Sequence, residues 1–294
     1  MRRRPLAVAA GLVADQLFGE PAVRPHPVSV FGRTMRGFES VAYRDDRRAG
    51  VLHAATGTLL GLASARLAGS TAVCTYVSVA GRALGEAATE VAAALDGHDL
   101  ALARERLPAL VGRDVSQLDE KEIARATVES VAENTVDAVV APVLWAWLGG
   151  GAGALGYRAV NTMDAMVGHR SPRYERYGWA SARLDDIAGW VPARAAAMLV
   201  AAARPAAAAD VFRVVARDAG AHPSPNGGVS EAAFAAALGL RLGGENRYGD
   251  RVELRPALGH GRPAEPADIA RAVQLSRDVT FVLIGALTIA GLLS

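Results

Sequence analysis

One lysine, one cysteine and few aromatic residues are present in the chain, and each scarcity closes off a class of chemistry. Of 32 Lys+Arg residues only Lys121 is a lysine, and it sits in Asp119-Glu120-Lys121-Glu122. The Gly-Lys-Ser/Thr core of a P-loop is therefore excluded, and any phosphate contact must use guanidinium groups. Cys74 alone rules out an internal disulfide and any multi-cysteine zinc or iron–sulfur site, and reads as a small buried apolar residue. Aromatics make up 5% of 294 residues, and the apolar load is mostly Ala, Gly, Val and Leu, which suits closely packed helices better than a sandwich or barrel. Charge is short as well: 21% of residues are charged against 51% apolar, the formal net charge is +2, and the mean hydropathy is +0.17. A freely soluble domain carries more charge. The expectation is an all-α, polytopic membrane protein with one domain over residues 1–294, and no nucleic-acid partner.

Apolar runs occupy 6–18, 51–68, 71–84, 138–160, 187–203 and 279–293. A membrane crossing takes about 20 residues, or about 17 at the short end, so several runs are marginal. Gly69-Ser70 divides the second and third runs and predicts a tight helical hairpin. Asp15 and Arg194 lie within apolar runs, so they face a protein interior or their helices do not cross fully. Gly149-Gly150-Gly151-Ala152-Gly153 interrupts the fourth run and favours a re-entrant hairpin of two half-helices over a single crossing, which would put 161–186 opposite the other polar segments. Re-entry would keep the polar segments 19–50, 112–137, 161–186 and 217–250 on one side. The stretch 210–278 is expected to form an extra-membrane lobe of helices and ordered loops. Met1-Arg2-Arg3-Arg4-Pro5 looks like the start of a signal peptide but lacks a small-x-small cleavage pattern, so a retained first helix is expected. Arg2–Arg4 and the arginines at 33, 36, 44, 47 and 48 cannot all be inside if 6–18 crosses.

Four constellations could carry chemistry. In Arg24-Pro25-His26-Pro27-Val28, followed by Phe31-Gly32-Arg33, two prolines stiffen the backbone around a histidine beside arginines. That suits a phosphate or carboxylate contact; the alternative is a helix entry capped by His26. Glu129, Glu133 and Asp137 follow one another at i, i+4 with Asn134 alongside, a stripe of oxygen ligands suited to Mg²⁺ unless it is a solvated acidic face. Asn161, Asp164, Gly168 as a helix C-cap, Arg170, Trp179, Arg183, Asp185 and Asp186 form the densest polar group, with ion pairing among Asp164, Arg170, Arg183 and Asp185 as the structural alternative. The fourth is His222-Pro223-Ser224-Pro225-Asn226-Gly227-Gly228, then Glu231, Arg241, Asn246 and Tyr248. Its turn could offer N–H groups to an anion, or Ser230 could simply cap the next helix. No Gly-x-Ser-x-Gly elbow surrounds Ser224, which argues against a serine nucleophile. Together these features point to a helical membrane enzyme acting on an anionic substrate.

In this order and at these separations the segments resemble the CobD/CbiB family of cobalamin biosynthesis, the adenosylcobinamide-phosphate (cobinamide) synthases. The resemblance rests on Asp15, Gly19-Glu20-Pro21 and Pro25-His26-Pro27-Val28; on Glu129-Ser130, Glu133-Asn134-Thr135, Asp137 and Ala141-Pro142; on Asn161-Thr162, Asp164 and Gly178 to Asp186; and on His222-Pro223-Ser224-Pro225-Asn226, Glu231 and Leu242-Gly243-Gly244. Glu20 where the family usually has Asp, and Gly228-Val229-Ser230 after the turn, are minor departures. The resemblance implies an ATP-dependent amide ligation joining (R)-1-amino-2-propanol or its O-phosphate to the propionate carboxylate of adenosylcobyric acid. It implies ATP and Mg²⁺ as cofactors, with Glu129, Glu133, Asp137 and Asp185 as metal ligands and Asp164 assisting. Arg24, Arg170 and Arg183 would contact phosphates, and His26 or His222 would be the base. Arg33, Asn134, Asn161, Trp179, Asn226, Glu231, Arg241, Asn246 and Tyr248 complete the implied substrate contacts. A multi-pass protein of the inner membrane is implied, its active site facing the cytoplasm, as a homo-oligomer or in association with other cobalamin enzymes. The rival readings are a membrane corrinoid-binding or transport protein without ligase activity, which would favour inverted halves of long helices, and a lipid head-group transferase.

Overall fold

The computed structural model describes residues 4–169, 171–248 and 251–293. In chain order the helices are α1 (Arg4–Phe18), α2 (Pro27–Ala42), α3 (Arg47–Ala68), α4 (Thr71–Ser78), α5 (Gly81–Asp96), α6 (Leu100–Arg106) and α7 (Glu120–Thr135). A π-helical turn at Val136–Val140 leads into α8 (Ala141–Val167), followed by α9 (Trp179–Ala203), α10 (Ala208–Asp218) and α11 (Gly227–Leu238). Strands β1 (Leu240–Tyr248), β2 (Arg251–Leu258) and β3 (Arg262–Pro263) precede α12 (Ala267–Leu293). The fold is helical, as its composition demands, with one small sheet that the sequence reading did not anticipate.

The chain divides into two compact units. The first comprises Met1–Ala80, Asp137–Pro192 and Ile284–Ser294. There α3 and α4 form the expected hairpin, because Gly69 caps α3 at φ 66°, a left-handed conformation natural to glycine. The run 71–84 is not one helix: Val79 is extended, with ψ 154°, and α5 starts afresh at Gly81. Asp15 is fully buried and accepts from the amide of Gln16, so the first helix turns its charge into protein.

The decisive feature of this unit is a reversal at Gly150, whose φ 64° and ψ −151° fall outside any helical conformation and interrupt α8. In a straight helix Asp137 and Tyr157 would stand about 30 Å apart at 1.5 Å per residue. Instead Tyr157 Oη donates to Asp137 Oδ1 over 3.3 Å, and a Cβ placed on Gly153 would collide with the Trp145 carbonyl. The two arms of α8 therefore lie side by side as a helical hairpin. Arg4 Nη1 donates to the Leu148 carbonyl at 2.6 Å, satisfying an acceptor at the C-terminal end of the first arm.

The second unit comprises Gly81–Val136 and Ala193–Leu283. Its centre is α11, all but one of whose residues are buried, including Glu231. Strands β1 and β2 pair antiparallel with a bulge between Leu242 and Gly244, and β3 joins β1 in parallel. This corrects the expectation of helices and loops throughout 210–278. Gly243 and Gly244, at φ 88° and 118°, adopt conformations that a helix does not use and that a bulge requires. Alternation fails along β2: Leu254 is 83% exposed, whereas Arg255 lines an internal cavity.

Among the described residues three helical segments are long and apolar enough to cross a membrane by length and composition: Glu120–Val167, α9 and α12. The first of these folds back at Gly150. Along α9 and α12, Ile187, Trp190, Met198, Phe281, Ile289 and Leu292 are all more than half exposed, an apolar surface that suits lipid contact. The reversal makes a test within one glycine run. G149A meets open space and is expected to leave thermal stability in detergent unchanged, whereas G150A, strained by its positive φ, and G153A, blocked by the Trp145 carbonyl, should each cost about 1–3 kcal/mol. Equal unfolding temperatures for all three variants would contradict the hairpin.

Candidate active site

In the second unit a cavity of about 220 Å³ is lined by Arg113, Glu129, Glu133, His222, Glu231 and Asn246 among others. Its charges are mostly matched. Arg113 Nη2 donates to Glu129 Oε2 over 2.8 Å, and Arg113 also donates to Asn246 Oδ1. The other carboxylate oxygen of Glu129 accepts the Gly243 N–H over 2.9 Å, while Arg125 donates to the Gly243 and Glu245 carbonyls. The β-bulge thus aims backbone groups at α7 and secures Glu129 on both oxygens. His222 Nε2 lies 3.0 Å from Arg255 Nη1 and 3.4 Å from Glu231 Oε1. Burial lowers the proton affinity of His222, and its Nδ1 lies 3.1 Å from the Ser224 nitrogen and 3.2 Å from the Ser224 carbonyl. With Nδ1 against the Ser224 backbone and Nε2 against Arg255 and Glu231, both ring nitrogens are engaged, which is poor preparation for a base. Burial, then the charges of Glu129 and Glu133, push the Glu231 carboxyl well above its ordinary value. The cavity is smaller than the several hundred cubic ångströms of a typical cofactor pocket, so it fits a small polar group rather than a macrocycle.

The first unit carries a different group. Asn161 Nδ2 lies 3.2 Å from Asp137 Oδ2 and 3.5 Å from Asp185 Oδ1, so one amide serves two carboxylates from separate segments. Among the described residues no cationic side chain bonds either aspartate. Asp164 lies on the same helical arm as Asn161, one turn closer to its end, and its carboxylate folds over Gly168, where a Cβ would collide with Oδ1. Arg183 pairs with Asp186 at 3.2 Å, and Trp179 lies beneath the Arg47 guanidinium at 5.0 Å. His26 caps α2, its Nδ1 accepting the Val28 N–H over 3.3 Å. Arg24 and Arg33 are exposed.

Glu129 and Glu133 belong to the second unit, Asp137 and Asp185 to the first. The π-helical turn starts directly after α7, and Asp137 finds its partners in the first unit. Glu129 is committed to Arg113 and Gly243 and does not fit a metal. The oxygen-only pair Asp137 and Asp185 does fit a hard divalent cation, which takes one or two carboxylates and completes its shell with water or phosphate. Among the described residues no three acidic, histidine or cysteine side chains converge on one point, in keeping with so sparse a set. Ser230 does not cap α11: the helix begins at Gly227 with Asn226 at its N-cap, Ser230 Oγ donates to the Gly227 carbonyl inside the helix, and Ser224 Oγ, two residues before the cap, accepts the Asn226 and Gly227 N–H groups. Asn134 donates to the Ser130 carbonyl, Asn226 accepts from Arg194, and Arg241 is exposed on β1. Arg170 and the side chain of Tyr248 lie outside the described residues. Sequence reasoning missed Arg113, Arg125 and Arg255, whose partners lie far along the chain, and Tyr157 and Arg158, two polar side chains inside the apolar run 138–160 that intramembrane polarity alone would have flagged.

Comparison with known proteins follows the same outline. A family model described as CobD/Cbib protein matches residues 8–276. Cobalamin biosynthesis protein CobD of Mycobacterium tuberculosis (strain CDC 1551 / Oshkosh) is 47% identical over 290 residues, covering 94% of this chain and 92% of that protein. Proteins of the same description from Pelobacter propionicus and Halalkalibacterium halodurans are 41% and 40% identical, over 87% and 92% of this chain and 85% and 91% of their own lengths. No solved structure matches the chain.

The buried Glu231 has a consequence for pH. The folded protein holds this proton more tightly than the unfolded chain does, so stability falls as pH rises from the ordinary 4.5 towards the raised folded value. E231Q, which imitates the protonated acid, should flatten that decline and be the more stable protein at neutral pH. Thermal unfolding across pH measures this, and parallel profiles for the two proteins would refute it.

Proposed function

The chain belongs to the CobD/Cbib family of cobalamin biosynthesis, and from that premise we propose that it forms the amide bond between (R)-1-amino-2-propanol, or its O-phosphate, and the propionate carboxylate of adenosylcobyric acid. A carboxylate does not accept an amine at neutral pH until one of its oxygens becomes a leaving group. ATP supplies the group that makes it one, with Mg²⁺ neutralising phosphate charge. In the step that follows, the amine nitrogen bonds to the acyl carbon, the activated oxygen departs, and the ammonium proton passes to an acceptor.

The observation that carries this reading is the sharing of Asn161 between Asp137 and Asp185. Carboxylates held together without a basic partner repel unless protons or cations compensate, and both cations of this reaction, Mg²⁺ and the substrate ammonium, answer that need. Asp164, on the same arm as Asn161, is placed to take the ammonium proton. His26 and His222 are weaker candidates for the base, since one is bonded through Nδ1 to the Val28 N–H and the other is engaged by Arg255. The long apolar helices suit an enzyme of the inner membrane, and the proposal places its chemistry on the cytoplasmic side, where ATP is available.

Purified protein in detergent, given adenosylcobyric acid, ATP, Mg²⁺ and either amino alcohol, should yield the condensed corrinoid by mass spectrometry. D137N and D185N should lose on the order of 10²-fold or more in kcat and alter the Mg²⁺ requirement. Full activity with an unchanged Mg²⁺ requirement in both variants would remove the acidic group from the mechanism. Corrinoid binding without product would favour a binding or transport protein instead.

A further inference from the structure

Arg158 follows Tyr157 on the second arm of the α8 hairpin, one turn before Asn161 and Thr162. Its Nε is enclosed and meets no acceptor. Among the described residues its guanidinium makes no hydrogen bond and no ion pair, although the Asp137 carboxylate lies near enough to act on it electrostatically. Asp137 is bonded to Tyr157 and Asn161 instead. Close by is a second unanswered donor. His26 accepts the Val28 N–H through Nδ1, which leaves the proton of a neutral imidazole on Nε2, and that nitrogen is also enclosed without a partner. Burial, with the charges of Arg158 and Arg24, outweighs the pull of Glu20 and lowers the proton affinity of the ring.

The buried Nε–H of Arg158 is a donor left without an acceptor, a costly state that an anion arriving with the ligand would relieve. A carboxylate ligand has only two oxygens, both of which a bidentate arginine fork would occupy. A phosphoryl group differs in having three oxygens, enough to meet the arginine fork on one side and a carboxylate-held cation on the other. We propose that Arg158, together with Nε2–H of His26, forms the binding site for a phosphoryl group of the substrates, belonging either to the nucleotide or to the phosphorylated amino alcohol. The naming of those two sources rests on the ligase reading; the site itself rests on the two unanswered donors. His26 is then a binding residue rather than a base.

The test is equilibrium binding to full-length protein in detergent, without corrinoid, so that it does not depend on amide formation. The probes are Mg-ATP, aminopropanol O-phosphate, inorganic phosphate, and free aminopropanol as the control without a phosphate. R158M should weaken at least one of the two organic phosphates by about tenfold or more, with R158K weakening the same ligand, H26Q showing a smaller loss and free aminopropanol unaffected. The ligand that weakens identifies the source. If R158M fails to fold, the comparison moves to R158K: the same phosphate should raise the unfolding temperature of the wild type more than that of R158K, at matched ionic strength. Unchanged affinity of folded R158M for all three phosphates, or equal thermal shifts in the wild type and R158K, would overturn the site. Loss of phosphate binding in R158M together with no amide product from the wild type would leave the site standing and reject the ligase reading.

Discussion

The reversal of α8 at Gly150 is the constraint on which the first unit depends. Both arms are built of apolar residues that would otherwise continue as a single rod, and only a residue without a Cβ can take φ 64° with ψ −151° at its midpoint. Reversal places residues twenty-odd positions apart in sequence at hydrogen-bonding distance, so Asp137 meets Tyr157 and Asn161 across the hairpin. Without it those groups would be polar side chains scattered along an apolar helix, each with its own desolvation cost. With it they satisfy one another in part, and what they leave unsatisfied is chemically informative.

The contrast with the second unit sharpens that point. There Arg113, Glu129, Asn246 and the Gly243 amide form a closed set in which both oxygens of the carboxylate have donors. A buried pair so well bonded holds geometry and is costly to break from one side. It ties α7 to the β-bulge, and its main service is to position the walls of the small cavity. The first unit reverses the pattern: Asp137 and Asp185 share one amide, while Arg158 and His26 Nε2 lack acceptors. Complete satisfaction marks structure, and incomplete satisfaction among groups that are costly to bury marks the place where a ligand contributes the missing partners.

How much of this was legible in the sequence depended on the range over which each signal acts. Gly149-Gly150-Gly151-Ala152-Gly153 and Gly69-Ser70 are local backbone statements, and both reversals occur where they predict. Asn161, Asp164 and Asp185 announced themselves as polar groups beside apolar runs. The stripe of Glu129, Glu133 and Asp137 was misleading, because i, i+4 spacing assumes an uninterrupted α-helix and takes no account of a π-helical turn or of an arginine 16 residues upstream. The β-hairpin was hidden because alternation fails in β2, where Leu254 faces outward and Arg255 lines the cavity, and two glycines interrupt β1 at the bulge. Ser230 suited a helix cap by residue type, but α11 begins earlier, at Gly227 with Asn226 as its N-cap, and boundaries are where sequence patterns are weakest.

The near absence of lysine acquires a physical meaning at Arg158. An ammonium buried without a partner readily gives up its proton and ceases to be a cation, whereas a guanidinium keeps its charge under the same desolvation and offers a rigid fork of donors. A phosphoryl site set inside an apolar hairpin therefore requires arginine if it is to stay charged before the ligand arrives. The helix needs an apolar surface to be stable in or against lipid, and the proposed phosphoryl site would need a fixed positive charge at the same place. Arginine is the side chain that meets both demands, and at this position lysine would not be a conservative replacement.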